Sequence, residues 1–305
     1  MLNSFFTLTF FLQALRISVP YTLPALGATF SERGGVVNIA LEGILIISAF
    51  ATTLGVYYTN NPLVGIIFGI SFGLLFALLH AIAAVTFKVD QIVTGIALNL
   101  FAIGLTKFSC QLIFNSSSNS SRITGLEILN GTSFSSIPLL GTLLLNPFIP
   151  ITILLVFISH YVLFKTRFGL RLRAVGEHPE AADSLGIHVT RFRFAGVLIS
   201  GALTGIGGAW LALDQHSFTD GMSAGRGYIA LAAMIIGKWK PLNAAIACLL
   251  FGLAETLVIQ LQGGAIPVQF IQMLPYVLTM IVLASFIGRA IPPACVGVPY
   301  EKESH

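Results

Sequence analysis

Four polar side chains interrupt otherwise apolar runs: Asn38, Glu42, Asn99 and Glu255. A carboxylate or amide within a membrane-length apolar run is costly, so each requires a partner. Two chemistries fit. These groups can line a polar route and hydrogen-bond a hydroxylated solute, or they can bond neighbouring helices and hold a bundle together. Read as one helix, Asn38 and Glu42 are four apart and share a face. Glu42 then lies roughly 9 Å into its run and Glu255 roughly 20 Å into its own. Lys107, near the end of a run, reads as a snorkelling side chain.

Other chemistries find little support. The six histidines form no metal-ligand spacing, and Cys110, Cys248 and Cys295 form no CxxC. There is no GxSxG nucleophile pattern. Gly237 and Lys238 resemble the end of a phosphate-binding loop, but Trp239 replaces the Ser or Thr and Ala232 occupies the place of the first Gly. No catalytic residue, metal site or cofactor of its own is expected for this chain.

The elements that must carry these residues follow from composition. Of 305 residues, 55% are hydrophobic and 9% charged, against about 25% charged in soluble domains. The chain reads as all-α, a polytopic transmembrane helix bundle forming a single domain over 1–305. About nine spans (8–10) are expected, near 8–30, 36–57, 63–86, 91–113, 147–164, 192–213, 225–237, 242–262 and 270–288. Pro20 and Pro24 interrupt the first, which could be two short pieces. No basic n-region precedes Arg16, so the N-terminus reads as part of that span. A polar loop is expected at about 115–146. Arg33 and Gly34, leading into Ile39, and Arg226 and Gly227, leading into Ile229, form a short echo compatible with an inverted-topology repeat.

Residues 165–193 form a basic island with six of the sixteen Lys and Arg residues. If the island is cytoplasmic, Arg33, Lys88, Lys238, Lys240, Arg289 and Lys302 fall on the same side, making twelve of sixteen. That asymmetry sets the orientation. Arg122 and Arg226 are then assigned to outer loops. The small net charge reads as headgroup anchoring by membrane lipids, with no nucleic-acid partner. Inside the island, Pro179 suits a first helical position and Glu180 favours a helix N-terminus. Ala181, Ala182 and Leu185 supply a small apolar face, and Gly186 is a stop. Such a short cytoplasmic helix is either a helical loop or a surface that docks in a groove on a soluble partner.

Three stretches resemble the permease subunits of bacterial ABC importers, in the group of ribose and branched-chain amino acid permeases: SERGGVVNIALEG at 31–43, TRFGLRLRAVGEHPEAADSLGI at 166–187 and GRGYIALAAMIIGKWKPLNAA at 225–245. The likeness covers about 10–290 and is nearest to the nucleoside and simple-sugar members. It implies a multi-pass protein of the bacterial inner (cytoplasmic) membrane that translocates a nucleoside or simple sugar. The implied partners are cytoplasmic ABC ATPase subunits holding ATP and Mg, a second permease subunit (hetero- or homodimer) and an extracytoplasmic solute-binding protein. It also implies a coupling loop at about 165–191, with Glu180, Ala181 and Ala182 as its signature and Gly176, Glu177, Pro179, Leu185 and Gly186 around them. Asn38, Glu42 and Gly43 match the motif bordering the solute route, which Asn99 and Glu255 would join. His178 and Lys240 stand where Asn is common. A self-contained secondary transporter or channel would instead use Glu42 and Glu255 as ion sites.

Overall fold

The apolar runs become helices bounded by local capping chemistry. The computed structural model describes residues 8–126, 147–261, 273, 277 and 291–301. The expected ninth span at 270–288, and most of the polar loop beyond 126, lie outside the described residues. Ten α-helices are present among those described: α1 (Leu8–Arg33), α2 (Leu41–Thr59), α3 (Pro62–Ala81), α4 (Gln91–Phe114), α5 (Phe148–Lys165), α6 (Arg167–Glu177), α7 (Pro179–Ser184), α8 (Val189–Gln215), α9 (Arg226–Ile236) and α10 (Pro241–Leu261). A π-helical turn, Ile82–Thr86, extends α3. Asn61 caps α3 through the Leu63 amide at 2.9 Å, with Pro62 in the first turn. Asp90 caps α4 through the amides of Ile92 and Val93. Thr166 caps α6 through Gly169.

Among the described residues, six helices are long and apolar enough to cross a membrane: α2, α3 with its π turn, α4, α5, α8 and α10. Helix α1 is long enough too, at 26 residues. It is one continuous helix through Pro20 and Pro24, not two pieces, consistent with the tolerance of membrane helices for proline. Its main neighbours are α8, α10 and α9. Close approach is set by small residues: a Cβ on Gly208 would lie 2.5 Å from the Leu45 carbonyl oxygen, and one on Gly73 2.6 Å from that of Gly201. Helices α2, α3 and α8 thus meet backbone to backbone.

Two expected spans have different forms. The second does not begin at 36. Residues 34–40 are non-helical and α2 starts at Leu41, so Asn38 and Glu42 do not share a helix face. The break begins at Gly35, whose φ of 89° is readily adopted only by glycine. The seventh is also not a continuous span. Helix α9 has 11 residues and is about 16 Å long, half a hydrocarbon core.

Helix α1 serves as a ruler for that second case. Arg16 pairs with Asp214 at 2.7 Å, and Arg33 Nε donates to the Trp239 carbonyl at 3.1 Å. These two positions of α1 are about 25 Å apart. The chain from 214 to 239 therefore crosses the same depth, partly as the loop 216–225 and partly as α9. Arg226 consequently lies within the bundle and not in an outer loop.

Candidate functional site

Backbone that is not helical cannot be left unsatisfied inside a membrane. Side chains from three other helices satisfy the break at 34–40. Ser31 Oγ donates to the Val36 carbonyl at 2.7 Å. Gln91 Oε1 accepts from the Val37 amide at 2.7 Å, and His80 Nε2 lies 2.8 Å from the Val37 carbonyl. A carbonyl only accepts, so His80 carries its proton on Nε2. Asn99 Nδ2 donates to the Ile39 carbonyl at 3.0 Å. Asn38 is fully buried; its Nδ2 donates to Ser200 Oγ at 3.0 Å and its Oδ1 has no hydrogen-bond partner among the described residues.

Just beyond the break, Glu42 lies against the start of the half-helix α9. Its Oε1 accepts from Ser223 Oγ at 2.5 Å and from the Gly225 amide at 2.8 Å; its Oε2 accepts from the Gly227 amide at 2.7 Å. A carboxylate suits the positive end of a helix dipole and its unpaired amides. Glu42 has no ion-pair partner among the described residues, so these three donors carry its charge. The approach requires glycine: a Cβ on Gly227 would lie 2.5 Å from the Glu42 nitrogen. Gly43 is equally confined, its amide donating to Asn99 Oδ1 at 2.7 Å. Asn99 Nδ2 also donates to the Tyr228 hydroxyl at 3.0 Å. Asn99 thus ties the start of α2, the break before it and α9 into one unit.

Glu255 belongs to the same half-helix from its other side. Its Oε1 accepts from Arg226 Nη2 at 2.7 Å and its Oε2 from the Tyr21 hydroxyl at 2.5 Å. The Arg226 guanidinium also sits 5.6 Å from the Tyr21 ring centroid. Tyr21 is about 18 Å along α1 from its inner end at Arg33, which puts the pair at mid-membrane depth. The expected site residues Glu42, Gly43, Asn99 and Glu255 are therefore brought together around α9. Asn38 lies apart, beside Ser200 on α8. Ser223, Arg226, Tyr228 and Tyr21 complete the site without having been expected. Arg226 and Tyr228 lie in the 225–245 motif, which was the available signal; Tyr21 has none.

The inner end carries the basic island. Helix α6 packs under α1: a Cβ on Gly176 would collide with the Arg33 carbonyl. The following turn, α7, buries Pro179 and Ala182 and leaves Glu180 and Ala181 exposed. Ala182 is 3% exposed against Val175 and Val189, while Leu185 is 80% exposed. The outward face is thus Ala181 and Leu185, and Ala182 is an inward anchor rather than part of it. Gly186 ends the turn with φ 78°.

A segment that sequence reasoning missed holds this region in place. Residues 291–301 run beneath the inner face. The Cys295 amide donates to the Gly176 carbonyl at 3.0 Å, the Ala294 amide to Glu177 Oε2 at 3.1 Å, and the Gly297 amide to the Gly35 carbonyl at 3.1 Å. Buried Arg193 donates from Nη1 to the Val298 carbonyl at 2.8 Å. Lys88 pairs with Glu301 at 2.7 Å and holds that carboxyl below its usual range by hydrogen bond and charge. The tail joins α6 to the break at Gly35.

The structure is a helix bundle with broken crossings held by carboxylates, and an exposed helical turn at one end. Residues 10–283 match the family model described as branched-chain amino acid transport system / permease component, and the chain belongs to that family. It is 45% identical over 300 residues to the nucleoside ABC transporter permease protein NupC of Lactococcus lactis, covering 93% of this chain and 94% of that protein. It is 41% identical over 304 residues to the guanosine ABC transporter permease protein NupQ of Bacillus subtilis, again covering 93% and 94%. Among solved structures, a metal-chelate type ABC transporter in an inward-facing conformation shares the fold, with TM-score 0.53 and 17% identity over 92% of this chain and 86% of that one.

Proposed function

We propose that this chain is the membrane-spanning permease subunit of an ATP-driven importer that carries a nucleoside across the bacterial cytoplasmic membrane. The observation that carries the reading is the identity above 40%, over more than nine-tenths of the chain, to permeases named for nucleoside and guanosine transport. The chain supplies no ATPase site of its own; ATP and Mg act at partner ATPases. The other partners are a second permease and an extracytoplasmic binding protein.

The geometry suits that role. The outward face of α7, with Glu180, Ala181 and Leu185, docks in the ATPase. Gly176, Glu177, Pro179, Ala182 and Gly186 shape and anchor the turn. Its displacement reaches Gly35 through α6 and the tail, and from there the break before α2. Glu42, Gly43, Asn99 and Glu255 border the solute route by fixing α9, since their polar atoms are already engaged. Asn38, with one unpartnered oxygen, borders it from the α8 side. The test is uptake by intact cells. A strain lacking this chain should lose high-affinity nucleoside uptake and regain it on complementation, with ribose uptake unchanged. Unchanged nucleoside uptake in that strain, with ribose uptake lost, would overturn the assignment.

A further inference from the structure

The loop 216–225 enters the bundle from the outer face. There it is stitched to 118–123 through the Asp220 amide to the Ser118 carbonyl at 2.7 Å, the Ser120 amide to the Phe218 carbonyl at 2.9 Å and the Ile123 amide to the His216 carbonyl at 2.8 Å. It then descends to Glu42 at mid-membrane depth. Ala224 is exposed, and a Cβ on Gly225 would meet nothing within 4 Å among the described residues. Irregular backbone at that depth cannot face hydrocarbon; it faces protein or water. This side of the loop therefore opens on an aqueous route or on the second subunit that encloses one.

Tyr228 lies in the first turn of α9, directly after this loop. It is 47% exposed. Its hydroxyl is tied to Asn99, which is itself held by Gly43 and Ile39. Phe101, Phe108 and Phe157 are also exposed, but each belongs to a continuous apolar helix that lipid can cover. Tyr228 differs in being an exposed ring anchored by a buried polar cluster, beside backbone that must not meet lipid.

We propose that Tyr228 is a stacking platform for the planar base of the solute as it passes mid-membrane. The inference rests on the nucleoside reading above and adds the residue that recognises the base. An aromatic ring stacks on any nucleobase through its π face, an interaction worth roughly a 5- to 150-fold effect when the ring is removed. The ring is held in place before the solute arrives, so little ordering cost is added on contact.

The test uses the complete transporter reconstituted in proteoliposomes, with initial uptake of labelled guanosine and uridine measured for Tyr228→Phe and Tyr228→Leu. Tyr228→Phe should remain within about threefold of the parent. Tyr228→Leu should lower guanosine uptake about tenfold or more, and guanosine more than uridine because the larger base stacks more strongly. Equal losses for both solutes would mark a merely structural role and overturn the proposal, as would parental guanosine uptake by Tyr228→Leu. If the parent protein itself moves neither nucleoside, it is the nucleoside reading that fails. Should Tyr228→Leu not assemble, Tyr228→Trp decides. Guanosine, and not ribose, should quench fluorescence beyond the parent's response, and no added quenching would overturn the proposal.

Discussion

The Arg226–Glu255 pair offers the sharpest physical test of how α9 is held. The side chains are 17% and 23% exposed and meet at 2.7 Å. In Glu255→Gln the charge on Arg226 loses its counter-ion. What remains is the Met222 carbonyl at 3.0 Å, the Ser223 carbonyl at 3.5 Å and the Tyr21 ring at 5.6 Å. Removing one partner of a buried pair costs about 3–5 kcal/mol, mostly as the penalty of an orphaned charge, and residual exposure argues for the lower end. About 3 kcal/mol corresponds to a fall of about 6–12 °C in melting temperature at the usual scaling for large domains. The double variant Arg226→Met, Glu255→Leu leaves no orphaned charge and should recover most of that loss. The assay is thermal unfolding in lipid nanodiscs of the parent, the single variants Glu255→Gln and Arg226→Met, and the double variant. Single variants melting within about 2 °C of the parent, or a double variant no better than the singles, would refute the reasoning.

Four further outcomes follow from the structure. Glu42→Ala leaves the Ser223 hydroxyl and two amides without their acceptor, so it should destabilise by about 3 kcal/mol or more, with Glu42→Gln milder, as read by unfolding in denaturant. Leu185→Asp sits on an exposed face and should change thermal stability by less than about 0.5 kcal/mol while abolishing co-purification with the ATPase. Ala182→Arg, at a buried position, should instead reduce the amount of folded protein recovered from membranes. Arg193→Met removes the donor to Val298 and should speed hydrogen exchange at the amides of Cys295 and Gly297 by about tenfold, measured by mass spectrometry, since one charged hydrogen bond is worth about 1.5 kcal/mol or more.

Much of the fold was legible because membrane helices declare themselves by composition. The runs that became α3, α4, α5 and α10 needed only length and hydropathy, and the caps at Asn61, Asp90 and Thr166 fall where the sequence changes character. The short turn at 179–186 was readable from Pro179 and Gly186. The breaks were not. Residues 225–237 have the composition of a span, and nothing local shows that the preceding loop descends from the outer face. Asn38 looked helical because the two glycines before it do not reveal where α2 starts. Its surroundings are set by His80, Gln91 and Ser200, which are distant in sequence. Arg226 read as an outer cation because its partner Glu255 lies 29 residues away. The inward turn of Ala182 depends on Val175, Val189 and the tail, whose sequence at 291–301 carries no helical or strand periodicity.

On the proposed function, ATP hydrolysed by a partner drives a nucleoside through this chain. Its most direct test is the initial rate of labelled guanosine uptake by proteoliposomes holding this chain, its partner permease, the ATPase and the binding protein. Uptake should require hydrolysable ATP, stop when the ATPase is omitted, and fall to background with Leu185→Asp. Uptake that continues without the ATPase and follows an imposed proton or sodium gradient would contradict the account and make Glu42 and Glu255 the sites of a secondary transporter.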